Sequence, residues 1–150
     1  MNLSAVSKAI QHTMVSKTGP ELRREFDKTT STWNDKPVFK TEQYSGTAVM
    51  WLKVFTYSEK YRLVNAGAKP HDLRPRKAKF LRFQTGFKAK TRSHFIGSNA
   101  GGKSGNYIST PAVHHPGFEA REFDQTIADE YADTFREDIQ DAISQGIAHK

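Results

Sequence analysis

Residues 121–145, REFDQTIADEYADTFREDIQDAISQ, decide the fold. Phe123, Ile127, Tyr131, Phe135, Ile139 and Ile143 recur every four residues, a helical spacing. A period of four overshoots 3.6, so the apolar stripe drifts by about 40° per step around the axis. The start of this helix is expected to pack on the chain's own sheet while its end faces elsewhere. That end is a candidate subunit contact; a helix whose end frays or curves over the same core gives the same pattern. Gly146 is predicted to end the helix. Asp129, Glu130, Asp133, Glu137, Asp138 and Asp141 lie mostly away from the stripe. They read as a solvated face or a partner for basic patches rather than as acid–base or magnesium-binding pairs.

Upstream, Leu3, Val6, Ile10 and Met14 are also spaced helically, and Gly19-Pro20 interrupts the pattern. Pro20 suits the first turn of a second helical stretch carrying Leu22 and Phe26, ending near Thr30. One kinked helix and two separate helices both fit. Trp33–Pro37 reads as a turn, Val38–Tyr44 as a strand and Ser45-Gly46 as a hairpin turn. Residues 47–57, TAVMWLKVFTY, are rich in β-branched and aromatic types and apolar on both faces, as expected for a central strand. Tyr61–Val64 is a short apolar bridge and Lys79–Gln84 a further strand. Residues 85–106 are polar and Gly-rich and read as a long mobile arm, with Tyr107–Thr110 returning as a strand. The expected fold is therefore a single α+β domain over residues 1–150. A small antiparallel β-sheet is flanked by an N-terminal helix and a long C-terminal helix.

Charge is unevenly placed. The net charge is +7, yet residues 1–118 hold 20 Lys/Arg against 7 Asp/Glu, while residues 119–150 hold 3 against 9. Such asymmetry points to nucleic acid or to head-to-tail pairing of subunits, and a solubilising surface also accounts for it. Residues 69–92 concentrate the positive charge, with Lys69, Arg74, Arg76, Lys77, Lys79, Arg82, Lys88, Lys90 and Arg92 against one acid, Asp72. Phe80, Phe83 and Phe87 interleave with them. A phosphate-tracking surface, a contact for acidic neighbours and a half-buried strand with outward lysines all fit. Arg74, Arg76, Lys77, Lys88, Lys90, Arg92 and Lys103 are the candidate DNA- or partner-facing residues.

The apolar fraction is 36% and mean hydropathy is -0.71, low for a self-contained core. This suggests that neighbours complete part of the fold. The absence of cysteine excludes disulfides, thiolate metal sites and cysteine catalysis. No run of 18 apolar residues is present, so no membrane helix is expected. The N-terminus lacks the basic start and continuous apolar stretch of a signal peptide, so use without export is expected.

Two stretches imitate chemistry. Gly97-Ser98-Asn99-Ala100-Gly101-Gly102-Lys103-Ser104 satisfies the phosphate-loop pattern in full. A working phosphate loop needs a helix straight after the lysine, whereas Gly105-Asn106 and Tyr-Ile-Ser-Thr-Pro follow here. A flexible Gly/Ser arm is the expectation. His114-His115, with His71 and His94, lacks metal-ligand spacing and reads as a turn at the end of a strand. No catalytic residue, cofactor or metal is expected.

Residues 61–76, YRLVNAGAKPHDLRPR, resemble the "aromatic…V-x-x-G-T-K-P-H-x-I-x-P-K" stretch of tail-component proteins of long-tailed bacteriophages, and Lys79–Phe83 resemble the strand after it. Residues 113–123, VHHPGFEAREF, resemble that family's "V-x-H-P-G-x-x-A-R-x-F" lead-in to its last helix. The resemblance to these minor tail or tail-completion proteins, also described as head–tail joining proteins, covers about residues 20–145. Gly67, Pro70, His71, His115, Pro116 and Gly117 are the motif turns. Ala68 stands where threonine is usual, Phe118-Glu119 replace a small and a basic residue, and residues 88–107 look longer than the family's loop.

The resemblance implies a non-enzymatic virion protein, made in the host cytoplasm and forming a homo-oligomeric ring at the neck, a hexamer by analogy. Its implied partners are a head-connector or stopper protein and a tail-tube or tail-terminator protein, with DNA passing through the lumen. Arg121 sits unfavourably at a helix start, which suggests a contact role. With Tyr131, Phe135, Ile139 and Ile143 it makes up the candidate subunit interface. The alternatives are a basic non-specific nucleic-acid-binding module and a phosphate-loop nucleotide binder.

Overall fold

A computed structural model describes residues 3–46 and 49–148. Thr47 and Ala48, the predicted start of the second strand, lie outside the described residues. The class is α+β: helices flank small antiparallel sheets, with a helix at the N-terminus and a long one at the C-terminus.

The N-terminal helical path is continuous. Helix α1 (Leu3–Thr13) widens into a π turn (Met14–Thr18) and continues as α2 (Gly19–Thr29). Pro20 explains the widening. In a regular helix its ring would press on the Ser16 carbonyl, and it has no N–H to offer that carbonyl. The chain takes up an extra residue instead, and the Gly19 N–H reaches back to the Met14 carbonyl. Of the two arrangements that fit the sequence, this is the single interrupted helix.

Strands β1 (Lys40–Ser45) and β2 (Met50–Phe55) form an antiparallel hairpin, in register from Lys40↔Phe55 to Ser45↔Met50. They lie against α2 at Gly19, where an added Cβ would stand 3.2 Å from Thr41 Cγ2 and 3.4 Å from Leu52 Cδ1. β2 is not a central strand: among the described residues its one partner is β1. Leu52 and Val54 turn toward the body while Trp51, 43% exposed, stacks on Tyr44 at 5.9 Å on the outer face. The doubly apolar pattern that suggested a central strand reflects this exposed aromatic pair.

Helix α3 (Glu59–Ala66) replaces the expected apolar bridge. Ser58 caps it by accepting the Tyr61 N–H, and Gly67 leaves it with φ 76°. Six further short strands follow: β3 (His71–Leu73), β4 (Leu81–Gln84), β5 (Phe87–Lys88), β6 (Gly102–Lys103), β7 (Tyr107–Thr110) and β8 (Val113–His115). Pairing is β3–β8, β4–β7 and β5–β6, all antiparallel. Together with β1–β2, the antiparallel structure among the described residues is thus divided among four two-stranded ladders.

Helix α4 (Phe123–Ala148) closes the fold. It runs through Gly146, which was expected to stop it. Gly146 is buried where α4 crosses α1, and an added Cβ would lie 2.5 Å from Val6 Cα. The glycine permits backbone contact between the helices.

The main core gathers Phe26, Trp33, Phe39, Tyr61, Phe123 and Ile127, with Leu22, Val54, Val64 and Ile96 packed against it. Its rings meet at 5.2 Å (Phe26–Phe39), 5.1 Å (Phe39–Tyr61) and 5.8 Å (Tyr61–Phe123). Each large side chain buried here stabilises the fold by ~1.5–3 kcal/mol. A second buried line joins Met14 and Thr18 of the π turn to Asp138 and Ala142 of α4.

Candidate functional site

The two stretches that carry the family resemblance face each other. Ala68 and Phe118 exchange backbone hydrogen bonds of 2.9 Å, and β3 pairs with β8 so that His71 lies opposite His115. Their rings stack at 5.1 Å. His71 donates from Nδ1 to the Lys69 carbonyl at 2.8 Å, while His115 Nδ1 accepts the Gly117 N–H at 3.0 Å. Gly117 has φ 78°, and a Cβ there would meet the Ala68 carbonyl at 2.3 Å. Pro70 and Pro116 belong to this same seam, where a Cβ at Gly117 would also press on Pro70 N. His114 pairs with Asp72 at 2.8 Å in an exposed contact. The motif turns therefore form a closure between distant parts of the chain.

Beyond the seam, Asn65 holds the start of α4. Its carbonyl accepts the Arg121 and Glu122 N–H groups, both at 3.1 Å, and its side chain exchanges bonds with Asp124. Tyr61 also donates to Asp124, at 2.8 Å. Burial, then the Asp124 carboxylate, push the Tyr61 hydroxyl well above the ordinary tyrosine range. Sequence reading missed Asn65, Asp124 and the role of Tyr61. The signal available was Asn65 inside the first motif block, two residues before a glycine that ends a helix.

Residues 81–90 and 99–110 make one long ribbon, continued between its ladders by Thr85 N–H to Asn106 O at 3.0 Å and Asn99 N–H to Lys90 O at 2.6 Å. The arm does not project freely. Its tip is pinned to the helical body by Lys90 Nζ on the Thr32 carbonyl (2.6 Å) and on Asn34 (3.0 Å). Ser98 and Asn99 also bond Thr32, Ser93 bonds the Ala120 carbonyl, and Ile96 joins the core. Attached at the seam and at the tip, the ribbon is a handle.

The candidate basic residues separate on this handle and on residues 74–80, which lead into it. Lys90 is tied inward. Arg74, Arg76, Lys77, Lys88, Arg92 and Lys103 are exposed, and none forms an ion pair among the described residues. Phe80, Phe87, Tyr107 and Ile108 are exposed among them. Lys103 lies in β6 opposite Phe87, and strand β7 follows where a phosphate loop needs a helix. Among the described residues no three His, Asp or Glu side chains are grouped to hold a metal ion. His94 (φ 54°) and Glu122 (φ 51°), both left-handed, meet at 3.6 Å beside the handle's tip.

The candidate interface residues on the last helix also separate. Arg121 donates to Ser93 Oγ at 3.3 Å, an internal contact that anchors the handle. Tyr131 donates to Glu21 at 3.0 Å, and burial followed by that carboxylate raises its hydroxyl above the ordinary range. Ile139 is half-buried, while Phe135 and Ile143 are exposed, as is Ile147 one turn further on. Buried Asp138 accepts from Lys17 Nζ at 2.6 Å and from Thr18 Oγ1 at 3.0 Å, fastening the π turn to α4. That hydrogen bond and the attraction of Asp138 raise the Lys17 pKa.

An open cleft of about 330 Å³ lies between α2 and α4, lined by Glu21, Glu25 and Glu130 together with Arg24, Ile96 and Ile127 among others. No helix among the described residues is long and apolar enough to cross a membrane. The chain matches no family model, no curated protein and no solved structure.

Proposed function

We propose that the chain is a structural protein of a tailed bacteriophage. In this reading it assembles as a ring at the neck, a hexamer by analogy, and completes the tail or joins it to the head connector. It works by contact rather than by catalysis, and its partners are copies of itself, a head-connector or stopper protein and a tail-tube or tail-terminator protein.

The observation that carries this reading is the handle. It is held at both ends, and together with residues 74–80, which lead into it, it turns outward six cations that have no ion pair among the described residues, and four large apolar side chains. Aromatic and aliphatic groups set among charges are the composition of a protein interface. The exposed Tyr44–Trp51 pair and the exposed end of α4 offer further contact area. The two stretches that resemble the tail-completion family meet in one seam, which is expected if they are inherited as a unit.

The test is the mass of the purified chain, alone and co-expressed with neck and tail proteins of one phage. A defined ring, or entry into a larger complex, supports the proposal. A strict monomer that ignores those proteins overturns it. The second reading, a basic nucleic-acid module with no ring, rests on the same unpaired cations. It requires an affinity for duplex DNA that falls steeply with salt.

A further inference from the structure

We propose that the handle of one copy docks on the acidic α2–α4 face of a second copy, in a head-to-tail contact. This rests on the assembly reading above and names the surfaces that meet.

Residues 69–103 hold ten Lys/Arg against one acid, Asp72, and Asp72 is already paired with His114. The opposite charge lies elsewhere on the same molecule. Glu21, Glu25 and Glu130 line the α2–α4 cleft, where Arg24 is the one basic lining residue among the described residues. Glu130, Glu137 and Asp141 fall within about 40° of one another around α4, so they form one ridge running away from the cleft. Glu137 and Asp141 are exposed.

Within one chain the two charge sets do not meet. Among the described residues no handle cation pairs with a cleft or ridge carboxylate; the ion pairs there are local or belong to Lys17. In the cleft Glu25 pairs with Lys28 at 3.3 Å and Glu21 accepts from Tyr131, whereas Glu130, Glu137 and Asp141 form no ion pair among the described residues. Complementary charge left over in this way suits a heterologous contact, which repeats around a ring. The apolar parts match as well. Phe87 and Ile108 stand exposed on the handle and Phe80 just before it, and half-buried Ile96 lines the cleft. Duplex DNA would use the cations but give those aliphatic and aromatic groups nothing to bury against, so a second copy is the better fit.

The experiment is sedimentation of the full chain over a range of concentration and salt, with two exposed double variants. Lys77→Glu with Lys88→Glu reverses the handle and its lead-in, and Glu130→Lys with Glu137→Lys reverses the ridge. Wild-type association is expected to weaken as salt rises. Each variant is expected to self-associate roughly tenfold or more weakly, since like charges then face each other. A mixture of the two is expected to regain association, because each restores the other's missing complement. Circular dichroism checks that both remain folded.

Association that survives both reversals overturns this contact yet leaves the ring reading in place. A wild-type chain that is monomeric alone but joins a complex with neck proteins does the same. If reversal of the handle leaves association unchanged but abolishes retention on duplex DNA, the handle's partner is nucleic acid and the proposal fails.

Discussion

The two halves of α4 share an apolar repeat but not a packing solution. In the first half the repeat is the buried line: Phe123 is 1% exposed and Ile127 0%. In the second half the buried line passes to Asp138, Ala142 and Gly146, while Ile143 stands 36% exposed. The four-residue repeat rotates away from the core as the helix advances, and small residues take over where α1 crosses. The first half secures the fold through large side chains. The second secures it through close backbone approach and leaves its large side chains outward.

The largest effect is expected in the first half. Phe123→Ala empties the centre of the aromatic core and should cost ~3–5 kcal/mol of unfolding free energy, measured by urea denaturation. Next comes the crossing. Gly146→Val places atoms where Val6 backbone already lies and should cost ~1–3 kcal/mol; an unchanged midpoint would show that the helices do not meet there.

A smaller effect tests the start of α4. The hydroxyls of Tyr61 and Tyr131 are held above the ordinary value of 10.0. The folded state favours neutral tyrosine, so this stabilisation is complete below pH 10. It is lost as the unfolded chain ionises above pH 10. Tyr61→Phe should cost about 0.5–1.5 kcal/mol at neutral pH and should flatten the loss of stability above pH 10, followed by denaturation at each pH. The smallest effect belongs to the outward stripe. Phe135→Ser with Ile143→Asn should each change monomer stability by no more than about 0.5 kcal/mol. Their effect should appear in assembled mass instead.

The contrast explains what could be read in advance. Both long helical stretches and the return strand at Tyr107–Thr110 depend on local periodicity and turn residues, and each stands where it was expected; the first hairpin is present too, but Ser45, read as part of its turn, ends β1 opposite Met50. Gly146 was misread because a glycine at a helix end and a glycine at a helix crossing look alike without the partner helix. Helix α3 was missed because eight residues hold too few turns to show a stripe. The β3–β8 seam joins residues forty or more positions apart, and its three-residue strands carry no alternation to announce it. The handle's polarity and glycines suggested a loose arm, yet Ser98, Asn99 and Lys90 bond it to Thr32 and Asn34, contacts that polar residues conceal from a hydrophobic pattern. The cations of the candidate site were legible because charge is read directly. Which of them remain unpaired depends on tertiary contacts, as Lys90 and Arg121 show.

The measurement that tests the central claim most directly is electron microscopy of phage particles carrying the chain with a gold-binding tag. A role in joining or completing the tail predicts label in a narrow band at the junction of head and tail, and separate heads and tails when the chain is withheld. Label confined to soluble material, with intact particles formed in the chain's absence, would contradict it.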